Sequence, residues 1–266
     1  MGTAKRQRQK AGRQSRRAEA ELAAARAKRN RNFRNYALYA GVIVAVVVGI
    51  IIFNRGGNNS TTSTTASTAS TVPPGTTVFS YGTTDCPPTD GSATQTRTFS
   101  APFKQCIDPT KTYTAVIKTN KGDLTVNLDP VKAPGTVNNF VSLAYYKFFD
   151  GVSCHRIIPS FVVQCGDPTG TGSGGPGYKF SDELPAAGDY KLGSLAMANS
   201  GANTNGSQFF IISGDQGVAL QPNYSLFGQV TTGVDTTLKA LDAAGTAGDG
   251  KPSEPITINS VTIQVS

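Results

Sequence analysis

Residues 154–167 bring together the side chains with the clearest chemical potential in this chain. Two short apolar runs flank a Pro-Ser pair, and this pattern predicts a tight β-hairpin. The hairpin would place Arg156, Phe161 and Gln164 near one another, as a cation, an aromatic ring and an amide on a rigid sheet. The stretch offers no acid–base pair and no obvious nucleophile. Such a site would hold and polarise a peptide rather than cut it.

His155 is the only histidine in the chain, and this count excludes several kinds of enzyme site. A metal site built on two or three histidines is impossible, and the four dispersed cysteines lack zinc-ligand spacing. A Ser-His-Asp triad would have to use His155, but no strand–Ser–helix elbow accompanies it. We therefore expect no metal ion and no cofactor, and we interpret His155 as a structural, hydrogen-bonded residue.

The glycine-rich stretch 170–177 matches the letters G-x-G-x-x-G of dinucleotide-binding proteins. That site needs a helix that begins within the motif, because the helix N-terminus holds the pyrophosphate. Here Pro176-Gly177 follows the glycines, and no βαβ unit is visible. The stretch is therefore predicted to be a surface loop.

The positive charge of the chain is concentrated at its N-terminus. The formal net charge is +8, and residues 1–35 contain 12 Lys/Arg against 2 Asp/Glu. An apolar segment without charges follows at residues 36–54, just long enough to cross about 30 Å of hydrocarbon as a helix. The positive-inside rule then predicts a cytoplasmic basic tail (1–35), a single transmembrane helix (36–54) and an extracytoplasmic C-terminal part.

Two other interpretations of the N-terminal residues are less consistent with the sequence. A cleaved signal peptide has an apolar run of about 7–15 residues and a small-residue cleavage site, whereas this run is longer and lacks a clean A-x-A. A basic tail can bind nucleic acid. Membrane topology and attraction to anionic lipids already explain the tail, so we expect a membrane partner and no nucleic acid.

The segment between the transmembrane helix and the C-terminal domain has two parts. Residues 55–77 are rich in Ser, Thr, Gly and Pro and predict a disordered, flexible linker. Residues 78–110, the pre-segment, contain Cys86 and Cys106, which are predicted to form a disulfide in an oxidising compartment. Cys154 and Cys165 lie on the two arms of the central hairpin and either form a cross-strand bridge or remain thiols. Four cysteines allow three pairings.

Residues 111–266 have the pattern of a mainly β globular domain. Alternating apolar residues predict a hairpin over 113–128 and a final strand over 256–265 with a slip near Ser260. Pro134 opens a predicted helix, and Val234, Leu238 and Leu241 suggest a second, shorter one. Many short strands with two helices favour a closed antiparallel barrel, which leaves no free sheet edges.

The order of several motifs resembles that of the cyclophilin family of peptidyl-prolyl cis–trans isomerases. The resemblance covers about residues 112–266. It implies an eight-stranded antiparallel barrel capped by two α-helices, and an enzyme that isomerises X–Pro bonds. The matching motifs are FFDG (148–151), HRIIP (155–159), FVVQ (161–164) with GD (166–167), GSLAMAN (193–199), NTNGSQFFI (203–211) and FGQV (227–230).

The resemblance also implies a set of site residues. Arg156 matches the catalytic arginine, Phe161 a wall of the proline pocket and Gln164 a group that holds the peptide backbone. The remaining substrate-binding positions are Val162, Ala198, Asn199, Gln208, Phe210, Leu220 and Tyr224.

Two positions depart from the pattern of the family. Tyr224 stands where many eukaryotic members have His, and a phenol can still form a wall and donate a hydrogen bond. The tryptophan position of the family falls near Ala219, and this chain contains no Trp. Because that indole contacts cyclosporin in the family, tight cyclosporin binding is not expected.

Two functions from different classes follow from these features. The first is an extracytoplasmic isomerase, anchored in the cytoplasmic membrane, that acts on X–Pro bonds in exported polypeptides. The second is a tethered proline-peptide binding module or chaperone with incidental isomerase activity. The complete set of Arg156, Phe161, Gln164 and Phe210 favours the first.

Overall fold

The computed structural model describes residues 79–248 and 250–266. The predicted basic tail (1–35), transmembrane helix (36–54) and linker (55–77) lie outside the described residues. Within the described part of the chain, no helix is both long enough and apolar enough to cross a membrane. The domain boundaries proposed from the sequence therefore remain predictions.

The described residues form nine antiparallel strands in one curled sheet, in the order β3-β9-β1-β2-β8-β6-β7-β5-β4. Their bounds are β1 Tyr113–Thr119, β2 Gly122–Leu128, β3 Val152–Ser153, β4 Arg156–Ile158, β5 Val162–Cys165, β6 Ser194–Met197, β7 Phe209–Ile212, β8 Leu226–Thr232 and β9 Thr257–Val265. The predicted hairpin over 113–128 is confirmed as β1 and β2, which pair through all seven residues of each strand. The predicted slip near Ser260 is also found, since Lys118 pairs with Ser260 and Thr119 with Ile258.

The closed eight-stranded barrel predicted from the sequence is not confirmed. The pairing order contains nine strands and has two ends, β3 and β4, which do not pair with each other. Only Cys154 and His155 separate these edge strands along the chain, so the sheet must curl strongly to bring its ends near each other. Two- and three-residue strands at the edges are too short to be distinguished from loops by periodicity.

Two helical segments lie where the sequence predicts them. Helix α1 (Pro134–Tyr145) begins with Pro134 in its first turn, where a missing backbone N–H costs nothing. The carboxylate of Glu183 accepts the N–H groups of Gly135 and Thr136 at 2.9 and 2.7 Å, so it caps this helix from a distant loop. The second predicted helix is a π-helical turn (Val234–Leu238) that continues as α3 (Lys239–Ala243). A single helical turn, α2 (Asp215–Val218), lies between α1 and the π-helical turn in the chain.

The main core lies between α1 and the inner face of the sheet. Phe140 of α1 meets three other aromatic rings there: Phe149 at 5.0 Å, Phe227 at 5.3 Å and Phe209 at 5.6 Å between centroids. All four side chains are buried. Burial of an aromatic side chain contributes roughly 1.5–3 kcal/mol, so this cluster is a main source of stability.

The four cysteines form two disulfides. Cys86–Cys106 closes the pre-segment, and Cys154–Cys165 joins the ends of the β4–β5 hairpin. The predicted Cys86–Cys106 pair is thereby confirmed, and the second pair is a bridge rather than two thiols. Both bonds restrict the unfolded chain and stabilise the fold for that reason.

The described pre-segment packs along the outer side of α1. The Asn138 side chain accepts the N–H groups of Cys106 and Ile107 at 2.6 and 3.1 Å and donates to the carbonyl of Lys104 at 2.9 Å. Asn138 is consequently buried, although it lies outside the apolar face of the helix. Helix α1 is thus enclosed by the sheet on one side and the pre-segment on the other.

Candidate functional site

The β4–β5 hairpin positions three of the predicted site residues. Arg156 and Gln164 are direct partners across the hairpin, and the Arg156 Nη1 donates to Gln164 Oε1 at 3.2 Å. Phe161 follows a tight turn in which Ser160 has a φ of 59°. The Arg156 guanidinium carbon lies 5.8 Å from the centre of the Phe161 ring, within the range of a cation–π contact.

A second apolar cluster forms on the opposite face of the sheet from the main core. Val162 and Phe210 are buried in it, and Phe161, Leu220 and Tyr224 pack against it half-buried. The ring of Tyr224 meets Phe210 edge-on at 5.3 Å. The strand pairing explains the cluster, because Gln164 of β5 stands opposite Phe210 of β7 and the following strand residues alternate between the two faces.

Tyr224 lies in a loop and is held by a buried neighbour. The Tyr190 hydroxyl donates to the Tyr224 carbonyl at 2.7 Å and accepts the Tyr224 N–H at 3.1 Å. Burial raises the pKa of Tyr190 to about 12, so this hydroxyl keeps its proton at neutral pH. The sequence reasoning did not find Tyr190, since a single tyrosine in a loop carries no periodic signal.

These residues enclose one pocket of about 200 Å³. It contains all three residues predicted to be catalytic and all but one of those predicted to bind substrate. The lining consists of Arg156, Phe161, Val162, Gln164, Ala198, Asn199, Phe210, Leu220 and Tyr224. Six of these nine residues are apolar or aromatic, and Arg156, Gln164 and Asn199 supply the polar groups.

Gln208, the remaining predicted residue, lies in a larger groove of about 790 Å³ that shares Gln164, Ala198 and Asn199 with the pocket. The side-chain amide of Gln208 links the pocket to the groove through hydrogen bonds. Gln164 Nε2 donates to Gln208 Oε1 at 3.0 Å, and Gln208 Nε2 donates to the carbonyls of Gly172 and Gly174 at 3.0 and 2.9 Å. A continuous chain of hydrogen bonds therefore runs from Arg156 through two glutamines to the glycine-rich loop.

Asn199 has a structural task besides lining the pocket. Its Nδ2 donates to the Asn223 carbonyl at 2.9 Å, and its Oδ1 accepts the Gly201 N–H at 3.2 Å. The side chain therefore ties together the two loops that border the pocket. This geometry leaves the backbone of Asn199, rather than its amide, as the group expected to hold a peptide.

Asp167 organises the glycine-rich loop, a role that the sequence reasoning missed. The carboxylate accepts the N–H groups of Thr169, Gly172 and Gly174 at 2.7, 2.6 and 3.1 Å and the Thr169 hydroxyl at 2.8 Å. A Cβ at Gly174 would collide with this carboxylate, so the loop passes where only glycine fits. Burial opposes ionisation, but the hydrogen bonds prevail and lower the pKa of Asp167 to about 2.

The depressed pKa makes the contribution of Asp167 to stability dependent on pH. The ordinary carboxyl pKa is 3.8, so the carboxylate stabilises the fold fully above about pH 4, and this stabilisation is lost as the pH falls through about 2. Asp167→Asn should therefore be about 1–2 kcal/mol less stable than the wild type at pH 7. The difference should shrink at pH 2.5, as measured by denaturant unfolding. Asp123→Asn, at an exposed site on β2, is the control. A deficit equal at both pH values would contradict this role.

His155 differs from its predicted structural role. It lies half-buried next to Arg156 in the chain, and neither ring nitrogen has a hydrogen-bond partner among the described residues. The prediction of a hydrogen-bonded histidine is therefore wrong. Burial lowers the pKa of His155, Asp167 opposes this effect, and the Arg156 charge adds to it. A neutral imidazole avoids placing a second cation beside Arg156.

The glycine-rich loop itself agrees with the sequence prediction. In the described structure, residues 170–177 are bends and irregular backbone, and no helix begins there. A dinucleotide pyrophosphate therefore has no helix N-terminus to bind. The loop instead forms a wall of the groove.

The amino-acid sequence of most of the described domain matches the model of a known protein family. Residues 114–263 match the model of the family described as "Cyclophilin type peptidyl-prolyl cis-trans isomerase/CLD". The chain belongs to the cyclophilin family. The match lies within the predicted domain 111–266, and the pre-segment lies outside it.

Known proteins similar to this cyclophilin include two mycobacterial relatives. "Probable peptidyl-prolyl cis-trans isomerase B" of Mycobacterium tuberculosis (strain CDC 1551 / Oshkosh) is 42% identical over 195 residues, which cover 66% of this chain and 62% of that protein. "Probable peptidyl-prolyl cis-trans isomerase A" of Mycobacterium leprae (strain TN) is 44% identical over 167 residues, which cover 56% of this chain and 91% of that protein. The chain thus spans about 62% of the length of the first of these relatives.

A solved cyclophilin supports the fold. The crystal structure of a Cryptosporidium parvum cyclophilin type peptidyl-prolyl cis-trans isomerase is 35% identical, has a TM-score of 0.53, and covers 57% of this chain and 98% of its own. The same protein was also solved in the presence of the dipeptide Ala-Pro. In the present chain, Ala219 is exposed and directly precedes the pocket residue Leu220. This is the position near which the tryptophan of the family was expected.

Proposed function

We propose that this cyclophilin is a peptidyl-prolyl cis–trans isomerase that acts on X–Pro bonds in polypeptides. The observation that carries the proposal is the pocket of about 200 Å³, in which Arg156 and Gln164 face an apolar recess formed by Phe161, Phe210 and Leu220. Its size suits a proline ring. The mycobacterial relatives carry isomerase names, and the Cryptosporidium relative was solved with a proline dipeptide.

The chemistry of X–Pro exchange suits a site without a nucleophile or proton shuttle. Amide resonance gives a rotational barrier of about 18–20 kcal/mol, and no covalent bond is broken. In the twisted transition state the prolyl nitrogen becomes pyramidal and gains a lone pair. A guanidinium N–H from Arg156 can donate to that lone pair only in the twisted state, so its contribution is specific to the transition state.

The surrounding residues would make this hydrogen bond effective. Phe161 and Phe210 would hold the proline ring and exclude water, which strengthens the electrostatic interaction. Gln164 orients the guanidinium through the 3.2 Å hydrogen bond and would also contact the peptide backbone. Arginine suits this position because it stays charged and presents its donors in a rigid fork.

We also propose that the domain works outside the cytoplasmic membrane on exported polypeptides. The apolar segment 36–54 behind a basic tail supports a single-pass anchor with a cytoplasmic N-terminus. The two disulfides support an oxidising compartment. Protease added to intact spheroplasts should cut the predicted linker 55–77 and release the folded domain, whereas a chain that stays uncut until the membrane is opened would contradict this location.

The activity can be tested with the full chain in a mild detergent. NMR exchange spectroscopy on a proline-containing peptide should show cis–trans exchange that is much faster than the uncatalysed reaction. Uncatalysed exchange takes tens of seconds or longer. A titration of the same peptide would give its Kd in parallel. Saturable binding without faster exchange would contradict the proposal and favour the proline-peptide binding module. An excess of free Ala-Pro should inhibit the exchange by competition.

A further inference from the structure

We propose that the pre-segment is a working part of the peptide groove, in which Phe99 and Phe103 position the outer wall formed by residues 176–178. This inference rests on the proposed function and extends it to the residues that flank the X–Pro bond. The pre-segment lies outside residues 114–263, which match the family model, so this contact is additional to the matched domain.

The first support is a direct backbone contact between the pre-segment and the wall. The Phe99 N–H donates to the Pro176 carbonyl at 2.8 Å. Gly177 follows with a φ of +97°, and a Cβ at this residue would lie 2.5 Å from the Phe99 carbonyl oxygen. The two chain segments therefore touch so closely that only glycine is accommodated.

The second support is an aromatic cluster that continues the same contact. The ring of Phe103 is buried, and its centroid lies 5.0 Å from that of Phe99, 5.8 Å from that of Tyr146 and 6.1 Å from that of Tyr178. Tyr178 lines the groove. The pre-segment thus fixes both the backbone and a side chain of the wall.

The position of Tyr178 is transmitted to the floor of the groove. Its hydroxyl donates to Asn139 Oδ1 at 2.5 Å, and Asn139 Nδ2 donates to the Gly206 carbonyl at 2.9 Å. Burial raises the pKa of Tyr178, so the phenol remains a neutral donor. Gly206 belongs to a separate segment of the chain but lies beside the wall, since a Cβ there would be 3.2 Å from Pro176, and both segments line the groove.

The pre-segment is itself held firmly enough to act as a support. Residues 82–84 pair with residues 102–104: the Gly82 N–H donates to the Phe103 carbonyl at 2.9 Å, and the Lys104 N–H donates to the Thr84 carbonyl at 2.9 Å. The Cys86–Cys106 disulfide closes the same loop. Phe103 belongs to this paired segment, and its ring meets Tyr178 of the groove wall and Tyr146, which follows α1.

The glycine-rich loop is consequently held at both ends, by Asp167 at its beginning and by Phe99 at its end. Removal of the Phe99 ring, which packs on Phe103 at 5.0 Å and on Tyr146 at 5.1 Å, would loosen the groove wall without moving Arg156 or the 200 Å³ pocket, which lie at the other end of the hydrogen-bond chain. A peptide long enough to fill the groove should sense this loss, and a peptide that fills only the pocket should not.

The test compares Phe99→Ala with Phe79→Ala in the full chain. Phe79 is also a half-buried phenylalanine of the pre-segment, but it packs on Phe180 at 6.0 Å and over Gly135 of α1, and neither Phe79 nor Phe180 lines the groove. The substrates are a blocked Ala-Pro dipeptide and a peptide with three residues on each side of Ala-Pro. Phe99→Ala should raise KM and Kd for the longer peptide about fivefold, with kcat unchanged. Its values for the dipeptide and all values for Phe79→Ala should match the wild type.

Phe99→Leu, which retains apolar bulk, should recover most of the affinity and also serves if Phe99→Ala fails to fold. The inference would be overturned if Phe99→Ala raised KM and Kd equally for both peptides, or changed them for neither. It would also be overturned if Phe79→Ala had the same effect as Phe99→Ala. Binding without catalysis by the wild type would overturn the isomerase proposal alone, because the Kd ratio of the two peptides still measures the groove wall. Absence of binding by both peptides would overturn both.

Discussion

Replacement of Arg156 by alanine should lower kcat/KM for an X–Pro peptide at least about tenfold, equivalent to roughly 1.4 kcal/mol of transition-state stabilisation. The hydrogen bond to the prolyl nitrogen exists only in the twisted state, so the loss should appear mainly in kcat and only weakly in KM. Arg156 is half-buried at the pocket rim rather than in the main core. The fold should therefore persist, and thermal unfolding alongside the exchange assay would verify this.

Arg156→Lys separates charge from geometry at this position. Lysine retains the positive charge but cannot reproduce the planar fork that reaches Gln164 and the substrate together. Its kcat/KM should lie between those of the wild type and Arg156→Ala. An unchanged rate in a folded Arg156→Ala variant would remove Arg156 from the mechanism. Full recovery by lysine would show that charge alone is sufficient.

Phe209 and Phe210 are neighbours on β7, yet their replacement by alanine should affect different properties. Phe209 faces the main core, where it meets Phe140 at 5.6 Å and Phe149 at 5.7 Å. Phe209→Ala should therefore lower the free energy of unfolding by about 3–5 kcal/mol, because it removes a fully buried ring and leaves a cavity. Denaturant unfolding measures this change, and the catalytic constants of the remaining folded fraction should stay close to those of the wild type.

Phe210 faces the pocket instead, where it packs against Tyr224 at 5.3 Å. Phe210→Ala should lower kcat/KM about tenfold, because it removes apolar surface that would cover the proline ring. Its loss of stability should be smaller than that of Phe209→Ala, since the pocket is already open to solvent. If the two variants lost stability and activity in the same proportions, the division of β7 between core and pocket would be wrong.

The local part of the site could be predicted from the sequence because it lies on one hairpin. Arg156 and Gln164 are eight residues apart and become direct partners as soon as the turn at Ser160 forms. The strand period of two then determines which side chains share a face. The same period correctly predicted the β1–β2 hairpin and the slip in β9. The roles of the pocket residues in catalysis stay predictions.

The distant part of the pocket could be proposed only through the resemblance. Ala198, Phe210 and Tyr224 lie on three separate segments, and no periodicity relates them to Arg156. The structure brings them into one pocket through the neighbouring positions of β5, β7 and β6 in the sheet and through the loop before β8, in which Tyr190 holds Tyr224. Strand order depends on which edges pair after collapse, and a single sequence contains no direct record of that choice.

The local elements of this protein could be derived from side-chain patterns alone: two hairpins, the first helix, and an arginine, an aromatic ring and an amide on one strand pair. The nine-stranded order, the role of Asp167 and the packing of the pre-segment against the groove wall emerge only in the folded chain. The difference lies in the range of the interactions. Local elements follow from side-chain alternation within a few residues, whereas the Asp167 cradle and the Phe99 contact depend on backbone atoms that only the complete fold brings together.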